Sequence, residues 1–277
     1  MELTKYEREI WEQIKNWEQE QLNYVAYDFE YKVDQWIEAT VSKLPENIQN
    51  QFFKQLDQWI FFIQTAIQQT ESLDKRIERL LTEAKTTHTE IETINDLKIL
   101  PIEYLNLFAD RQSSIHQLYS LFQGASLGTK SNILLLADLP AMAVINLRAI
   151  QLISISYGYD VKKPFEMMMA LKIFHCATLP KRFRNKAWFD LLDEVKKDEV
   201  KYFYDGNEQL TDTTWLTAPI MQVLKLLLIT LFRNKKEDRF SFVSMFFGAG
   251  LNYHFTKNIT EFAKRFYQYR YISEKIT

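Results

Sequence analysis

One apolar segment near the middle of the chain, from Met142 to Ser156, constrains the fold more than any other feature. Large polar side chains interrupt it only at Asn146, Arg148 and Gln151. A helix that is apolar on nearly every side has to be buried, either by the rest of its own chain or by a membrane. The other helices of the chain are therefore expected to pack around this one.

The residues on either side of this segment mark the ends of a helix. The carboxylate of Asp138 can accept hydrogen bonds from the N–H groups that open a helix, and Pro140 in the first turn loses no intrahelical hydrogen bond. Gly158 stands where a left-handed residue ends a helix. The sequence therefore predicts a helix that starts after Asp138 and ends just before Gly158.

Glycines elsewhere are spaced for close helix packing. Gly124 and Gly128 are four residues apart, so they lie on one helix face and let another backbone approach. Gly248 and Gly250 flank an alanine near the start of the last helix, and without a preceding strand they favour packing over phosphate binding. We assign these four glycines and Gly158 to helix packing and helix ends.

The composition indicates an all-α fold. The 277 residues include only six glycines and six prolines, and strand-type alternation bounded by turn residues is almost absent. We predict a single helical domain over residues 1–277, in the form of a multi-helix bundle. Long amphipathic helices in residues 1–100 should pack around an apolar central helical hairpin, while residues 101–277 supply the core helices and a closing carboxyl-terminal helix.

Hydrophobic spacing predicts where the other helices run. Besides the central helix they are residues 3–41 as one or two helices, residues 45–84, a helix from Pro101 to the first glycine pair, residues 165–178, an exposed helix of mixed charge over 181–203, an apolar core helix over 219–232, and an amphipathic last helix over 252–271. In the last helix, Ile259, Phe262, Phe266 and Tyr269 are expected to face inward.

The central helix is long enough to raise the question of a membrane span. From Leu139 to Tyr157 it would be about 28 Å long. A central Arg148 costs roughly 2.5 to 3.5 kcal/mol on insertion scales, and Asn146 and Gln151 add to that cost. We therefore expect the helix to be buried within the protein, with a re-entrant hairpin around Asp138 that dips into one leaflet as the alternative.

Charge is unevenly distributed along the chain. Residues 1–100 contain 19 acidic and 11 basic side chains, whereas the remainder contain 17 and 23. A basic surface can contact anionic lipid or an acidic partner. The charged amino terminus lacks the apolar core of a signal peptide, so we expect a cytoplasmic protein, peripheral to the inner face of the membrane. We expect a lipid or a membrane protein as its partner, and no nucleic acid.

The sequence lacks the signatures of common enzymes. It has no G-x-x-x-x-G-K-[ST] phosphate loop, no H-E-x-x-H and no G-x-S-x-G. The single cysteine, Cys176, excludes an intramolecular disulfide and a cysteine cluster for zinc or iron–sulfur. His175 would point about 100° away from Cys176 on a helix, so it cannot activate the thiol. We predict no catalytic residue, no metal ligand and no cofactor.

The strongest polar group consists of Asp138, Arg148 and Asn252. Asp138 and Arg148 are about 15 Å apart along one helix, so they cannot pair with each other. In one interpretation Asp138 caps its helix and Arg148 forms a buried ion pair with an acidic residue of the amino-terminal helices. In the other, Arg148 lies at the inner end of an apolar pocket and binds an anionic head group, such as a lipid phosphate or carboxylate.

Several of these motifs resemble the EcsC protein family. The order is G-x-x-x-G, A-D-[FL]-P, a basic residue in the following helix, Y-G-[FY]-D and G-A-x-x-N-Y. In this sequence the matching residues are Gly124, Gly128, Ala137, Asp138, Leu139, Pro140, Arg148, Tyr157, Gly158, Tyr159, Asp160, Gly248, Ala249, Asn252 and Tyr253. The chain departs from the pattern at Gln123, where the family often has an acidic residue, and at Lys130 and Ser131, which replace glycines.

The resemblance implies an all-α bacterial protein, from a family named for its place beside an ABC transporter operon linked to secretion and processing. By analogy it implies a non-enzymatic accessory role at the cytoplasmic membrane face. The alternative function is a carrier or sensor of a hydrophobic anionic ligand, such as a lipid, bound near Arg148.

Overall fold

The structure is a computed structural model, and it describes residues 3–22, 70–127, 139–179, 181–196 and 249–276. These residues form α-helices and one short 3-10 helix, Asn95–Ile99, with no strand among them, so the all-α prediction is confirmed. The helices are α1 (Lys5–Leu22), α2 (Thr70–Lys85), α3 (Ile102–Leu127), α4 (Leu139–Ser156), α5 (Pro164–Thr178), α6 (Lys181–Lys196) and α7 (Ala249–Ile276).

Helices α3, α4 and α7 pack against one another and form the centre of the described bundle. Three side-chain contacts fix α3 and α7 as antiparallel neighbours: Gln268 to Asn106 at 2.9 Å, Lys264 to Asp110 at 2.6 Å and Gln117 to Thr260 at 3.1 Å. The Tyr157 hydroxyl at the end of α4 donates to Asn106 near the start of α3, so these two helices are also antiparallel. The turn at Asp138, around which the sequence predicts the central hairpin, lies outside the described residues.

Helix α4 is buried almost throughout, because its apolar side chains contact α3, α5 and α7. It begins at Leu139, one residue after the predicted capping position, and it ends at Ser156 as predicted. Within the described part of the chain, no helix is both long and apolar enough to cross a membrane.

The predicted left-handed turn after α4 is present at Gly158, where φ is +84°. The Gly158 N–H donates to the Ile155 carbonyl and the Tyr159 N–H donates to the Ser154 carbonyl, which is the Schellman arrangement. A Cβ at Gly158 would lie 2.6 Å from Cγ of Lys98, on the 3-10 helix. The glycine therefore permits both the backbone conformation and the close approach of the 3-10 helix.

The outer helices α1 and α6 pack on each other, and α1 also packs on α7. The indole N–H of Trp188 on α6 donates to the Glu18 carboxylate on α1 at 2.8 Å, and the Trp17 ring packs edge-on against Trp188 and Phe262. The prediction that residues 181–203 form an exposed helix is therefore wrong for α6, because Trp188, Leu191 and Leu192 are buried. Its spacing of i, i+3 and i+4 forms one apolar face among the charges.

The last helix contains the predicted inward side chains, and Ile259, Phe262 and Phe266 are buried. Tyr269 is partly buried and stacks on Trp11 of α1 with ring centroids 5.0 Å apart. Several predictions lie outside the described residues or only partly inside them. Gly128, Asp138, Gly248 and the apolar helix predicted over 219–232 are outside, and the first two predicted amphipathic segments are described only over α1 and α2.

Candidate functional site

A cleft between α2 and α3 encloses a cavity of about 330 Å³. We call it the arginine cleft, because its polar lining includes Arg76, Arg79 and Glu83 from α2 and Arg111 from α3. Ile115 and Tyr119 of α3 contribute apolar surface to the same lining. The cavity is within the size range of small-molecule sites, and it combines a few charged groups with apolar walls.

The helical repeat explains why these side chains meet. On α2, Leu73, Ile77 and Leu80 are buried in the core, and Arg76 and Arg79 stand beside them at the edge of that face. Residues three, four and seven apart share one side of a helix, so Arg76, Arg79 and Glu83 line up along the cleft. Helix α3 contributes its residues to the cleft at the same spacing.

Charge in the arginine cleft is only partly balanced. Arg111 donates from its guanidinium to the Glu83 carboxylate across the cleft. Among the described residues, neither Arg76 nor Arg79 forms an ion pair. Arg76 is half-buried and Arg79 is exposed. The cleft therefore holds one neutralised arginine and two positive charges that no described carboxylate neutralises.

The positive charge of Arg76 in the cleft lowers the pKa of two buried or half-buried basic groups, His116 and Arg148. His116 on α3 is only 2% exposed, and its Nδ1–H donates to the Gln112 carbonyl at 2.8 Å. Burial lowers the pKa of His116 to about 4, against the effect of that hydrogen bond, and the charges of Arg76 and Arg148 lower it further. The ring is therefore neutral at physiological pH.

Arg148 is half-buried on α4, where the sequence predicts the key polar group. Burial lowers the pKa of Arg148, and the positive charge of Arg76 acts in the same direction. The structure thus places Arg76, His116 and Arg148 within electrostatic reach of one another, from three different helices. The charge on α2 that acts on Arg148 belongs to another arginine, Arg76. The predicted ion pair between Arg148 and an acidic residue of the amino-terminal helices stays a prediction.

No hydrogen bond among the described residues joins Asn252, another predicted ligand-binding residue, to this group. Asn252 is 3% exposed near the start of α7, and its Nδ2 has no hydrogen-bond partner there. Asp138 lies outside the described residues. The cavity lining includes Arg76 but not Arg148, so the cavity is offset from the predicted position toward α2.

Sequence reasoning missed the arginine cleft although a signal exists. The pattern R-x-x-R-x-x-x-E at Arg76 to Glu83 and the residues Arg111, Ile115 and Tyr119 have the spacing of single helix faces. Each pattern alone is typical of a solvated helix surface. Only the pairing of α2 with α3 indicates that these two faces enclose a cavity.

Next to the arginine cleft, α3 exposes a row of apolar side chains that we call the outer stripe. Leu107 is 55% exposed, Leu118 is 50% exposed and Phe122 is 69% exposed. Arg111 lies between Leu107 and Leu118 on the same side of the helix, since these residues are four and seven positions apart. The outer stripe therefore continues directly into the lining of the cleft.

At the far end of α3, the bundle contains a second group of charges, the buried charge cluster. Arg270 on α7 donates to Glu166 on α5 at 2.8 Å and to Glu274 at 3.2 Å, and the Tyr159 hydroxyl donates to Glu274 at 3.1 Å. The Tyr159 ring has the Arg270 guanidinium 4.0 Å from its centroid and the Lys98 ammonium 4.1 Å from it. This cluster ties the turn after α4 to α5, α7 and the 3-10 helix.

Neither thiol nor metal chemistry finds support in the described residues. Burial raises the pKa of Cys176 to about 12, so its thiol is protonated, and Sγ donates weakly to the Ala187 carbonyl at 3.7 Å. Within the same residues, no group of three or more His, Cys, Asp or Glu side chains could hold a metal ion.

The described residues define an all-α bundle with an arginine-lined cleft between two of its helices. A model of the EcsC protein family matches residues 8–272, so this chain belongs to the EcsC protein family. It is similar to an uncharacterised protein, YdbA of Bacillus subtilis (strain 168), with 25% identity over 265 residues that cover 95% of this chain and 92% of that protein. No solved structure has a significant match to the chain.

Proposed function

We propose that this protein is a non-enzymatic accessory protein that acts at the cytoplasmic face of a membrane through contact with anionic lipid. The observation that carries the proposal is the position of the outer stripe of α3 beside the arginine cleft. Exposed Leu118 and Phe122 can enter the headgroup region while Arg76 and Arg79 remain at the level of the lipid phosphates.

Charge complementarity supports an anionic membrane as the occupant of this surface. Each Lys or Arg near an anionic membrane contributes about 1 kcal/mol to binding. Arg76 and Arg79 have no ion pair among the described residues, so they are available to lipid phosphates without losing a carboxylate. Partial burial of Leu118 and Phe122 would add a hydrophobic contribution of similar size for each side chain.

Family membership supports the same role by analogy. The EcsC family takes its name from a position beside an ABC transporter operon, which makes a membrane transporter a reasonable partner class. A surface that binds lipid would bring the protein close to such a partner.

Vesicle co-sedimentation at low salt tests the membrane contact. The wild-type protein should sediment with phosphatidylglycerol vesicles, bind phosphatidylcholine vesicles weakly, and lose binding as salt screens the charges. Phe122→Gln should weaken partitioning by about tenfold, because an exposed aromatic anchor is lost. Phe189→Gln on α6 is the matched control, since Phe189 is also an exposed phenylalanine but lies away from the cleft.

The test has clear contrary outcomes. Equal sedimentation of wild type and Phe122→Gln would rule out the outer stripe as the contact. Wild-type protein that stays in solution with both vesicle types would rule out anionic lipid binding as a whole.

A carrier or sensor of a hydrophobic anionic molecule is the second candidate function. The cavity of about 330 Å³ favours it, because the cavity is large enough for part of a small amphiphile and has charged and apolar walls. Native mass spectrometry of protein purified from cells separates the two candidates. A carrier retains a bound lipid in solution without vesicles, whereas a surface-binding protein is recovered empty and binds only when vesicles are added.

A further inference from the structure

The arginine cleft has the form of a binding site for a single compact anion. Arg76 and Arg79 approach the cavity from α2, three residues apart, and Arg111 approaches from α3. A guanidinium presents its N–H donors as a planar fork that matches phosphate or carboxylate oxygens in pairs. Two forks from one helix and a third from the facing helix can therefore converge on one group.

The charge balance of the cleft indicates how much negative charge the ligand carries. Glu83 neutralises Arg111, which leaves the charges of Arg76 and Arg79. Like charges three residues apart on a helix repel each other weakly, and an anion bound between Arg76 and Arg79 would remove that repulsion. A ligand with two negative charges balances the pair, whereas a single carboxylate balances only one of them.

The effect of the cleft on His116 and Arg148 also indicates a positive electrostatic potential in the cleft. The positive charge of Arg76 reaches both Arg148 and the buried His116 ring, and it opposes a positive charge on each of them. The His116 ring is neutral at physiological pH, so the repulsion that an anion bound to Arg76 would reduce is the one between Arg76 and Arg148.

The walls of the cavity indicate that the anion is attached to an organic group. Leu80 and Phe108 line it together with Ile115 and Tyr119, so about half of the lining residues are apolar or aromatic. An inorganic ion would leave these side chains in contact with water alone. An ester of the anion could cover them with its carbon skeleton.

We propose that the arginine cleft binds a phosphate monoester dianion, either as the headgroup of an anionic lipid or as a free phosphorylated small molecule. The phosphate oxygens would accept from Arg76 and Arg79, and the organic part would contact Ile115 and Tyr119. The lipid source rests on the function proposed above, whereas the free source does not.

Calorimetric titration of the full chain with phenyl phosphate, above the second pKa of the phosphate near 6, tests the site. Arg79→Gln should weaken binding by at least about tenfold, because one charge-assisted fork is lost. Arg79→Lys should recover only part of the affinity, since an ammonium keeps the charge but not the paired geometry. Lys186→Gln on α6 is the matched control, because Lys186 is an exposed cation with no described ion pair.

Vesicles containing phosphatidate, compared with vesicles containing phosphatidylglycerol, distinguish the two sources. Tighter binding to phosphatidate that Arg79→Gln abolishes identifies a lipid headgroup, since phosphatidate carries a phosphate monoester and phosphatidylglycerol carries a diester. Binding of phenyl phosphate without vesicle binding identifies a free ligand, and it would then overturn the membrane proposal alone.

Two results overturn the inference about the cleft. One is equal affinity of wild type, Arg79→Gln and Lys186→Gln for phenyl phosphate. The other is the absence of phenyl phosphate binding together with vesicle binding that Arg79→Gln leaves unchanged. In the second case the membrane proposal survives and the phosphate site does not, so the two failures are distinguishable.

Discussion

Two groups of charged side chains in this bundle differ in how the charge of their arginines is compensated. In the buried charge cluster, Arg270 and Glu166 are 4% and 3% exposed at the side chain, and Glu274 completes the pairing. In the arginine cleft, Arg76 and Arg79 have no ion pair among the described residues, although they line a common cavity. Arg270 is buried and neutralised, whereas the arginine cleft keeps the positive charges of Arg76 and Arg79 at the surface.

The difference follows from solvation. A charge that leaves water has to recover its lost hydration from partners within the protein, so buried Arg270 requires Glu166. The arginines of the cleft remain partly hydrated and need no such partner to be tolerated. The buried charge cluster contributes to the uniqueness and stability of the fold, whereas the arginine cleft leaves positive charge available for a ligand. Substitutions in the two groups separate these roles.

Removal of Arg270 should produce the largest loss of stability. Arg270→Met leaves the Glu166 carboxylate buried without its cation, which typically costs about 3–5 kcal/mol. Urea unfolding monitored by circular dichroism measures the loss. The double variant Glu166→Met/Arg270→Met should recover much of it, because no charge remains buried. Equal destabilisation of the single and double variants would show that packing, rather than charge pairing, explains the cluster.

His116 should make the protein sensitive to acid. Its pKa is lowered from 6.5 to about 4 in the folded state, so the unfolded chain binds a proton at a higher pH than the folded protein does. The stability associated with the neutral ring is fully present above pH 6.5 and is lost as the pH falls toward 4, with a total of about 3 kcal/mol. Urea unfolding across this pH range should have a flatter profile for His116→Gln than for wild type.

The control for this pH effect is His254→Gln, since His254 is exposed on α7. It should leave the acid-induced loss unchanged. The measurement also sharpens the comparison with the cleft, because a bound phosphate monoester near Arg76 should raise the pKa of His116. An NMR titration of His116 that phenyl phosphate does not shift would indicate that the anion binds elsewhere.

Gly158 should show an intermediate effect at the edge of the buried charge cluster. Gly158→Ala places a side chain on a residue with φ of +84°, which costs roughly 1–2 kcal/mol. Its Cβ would also meet the Lys98 side chain at 2.6 Å, although that flexible chain can move. In the Lys98→Ala background the contact with Cγ disappears, whereas the backbone cost and the 3.3 Å approaches to the Ile94 carbonyl oxygen and the Lys98 nitrogen remain. Thermal unfolding of the four proteins measures both parts, and full recovery in the double variant would contradict a conformational cause.

The parts of the fold that could be predicted from the sequence are those with local signals. The continuous apolar run predicts that α4 is buried, Pro140 marks its first turn, and Gly158 marks its end, as the structure confirms. Each of these signals depends on residues within a few positions along the chain. No knowledge of the neighbouring helices is needed to recognise them.

The parts that could not be predicted depend on residues that are distant in the sequence. The charges of α6 suggest an exposed helix, but Trp188 is buried because α1 provides Glu18, 170 residues earlier, as its hydrogen-bond acceptor. The arginine cleft likewise requires α2 to lie beside α3, so that Arg76 and Arg111 face one cavity. In the sequence, Arg148 is conspicuous because it interrupts an apolar run, whereas the arginines of the cleft resemble ordinary solvated residues.

The smallest effect on stability is expected at Arg79, which completes the contrast with Arg270. Arg79→Gln removes an exposed cation that has no described ion pair and relieves repulsion with Arg76, so stability should change by less than about 0.5 kcal/mol. Thermal unfolding without ligand should therefore give similar midpoints for the variant and wild type. With the same excess of phenyl phosphate, wild type should gain at least about 1.4 kcal/mol more stability than the variant, because ligand stabilisation grows with the logarithm of affinity and the variant binds at least about tenfold more weakly. A large loss at Arg79 without ligand would mean that the cleft, like the buried charge cluster, serves to hold the bundle together.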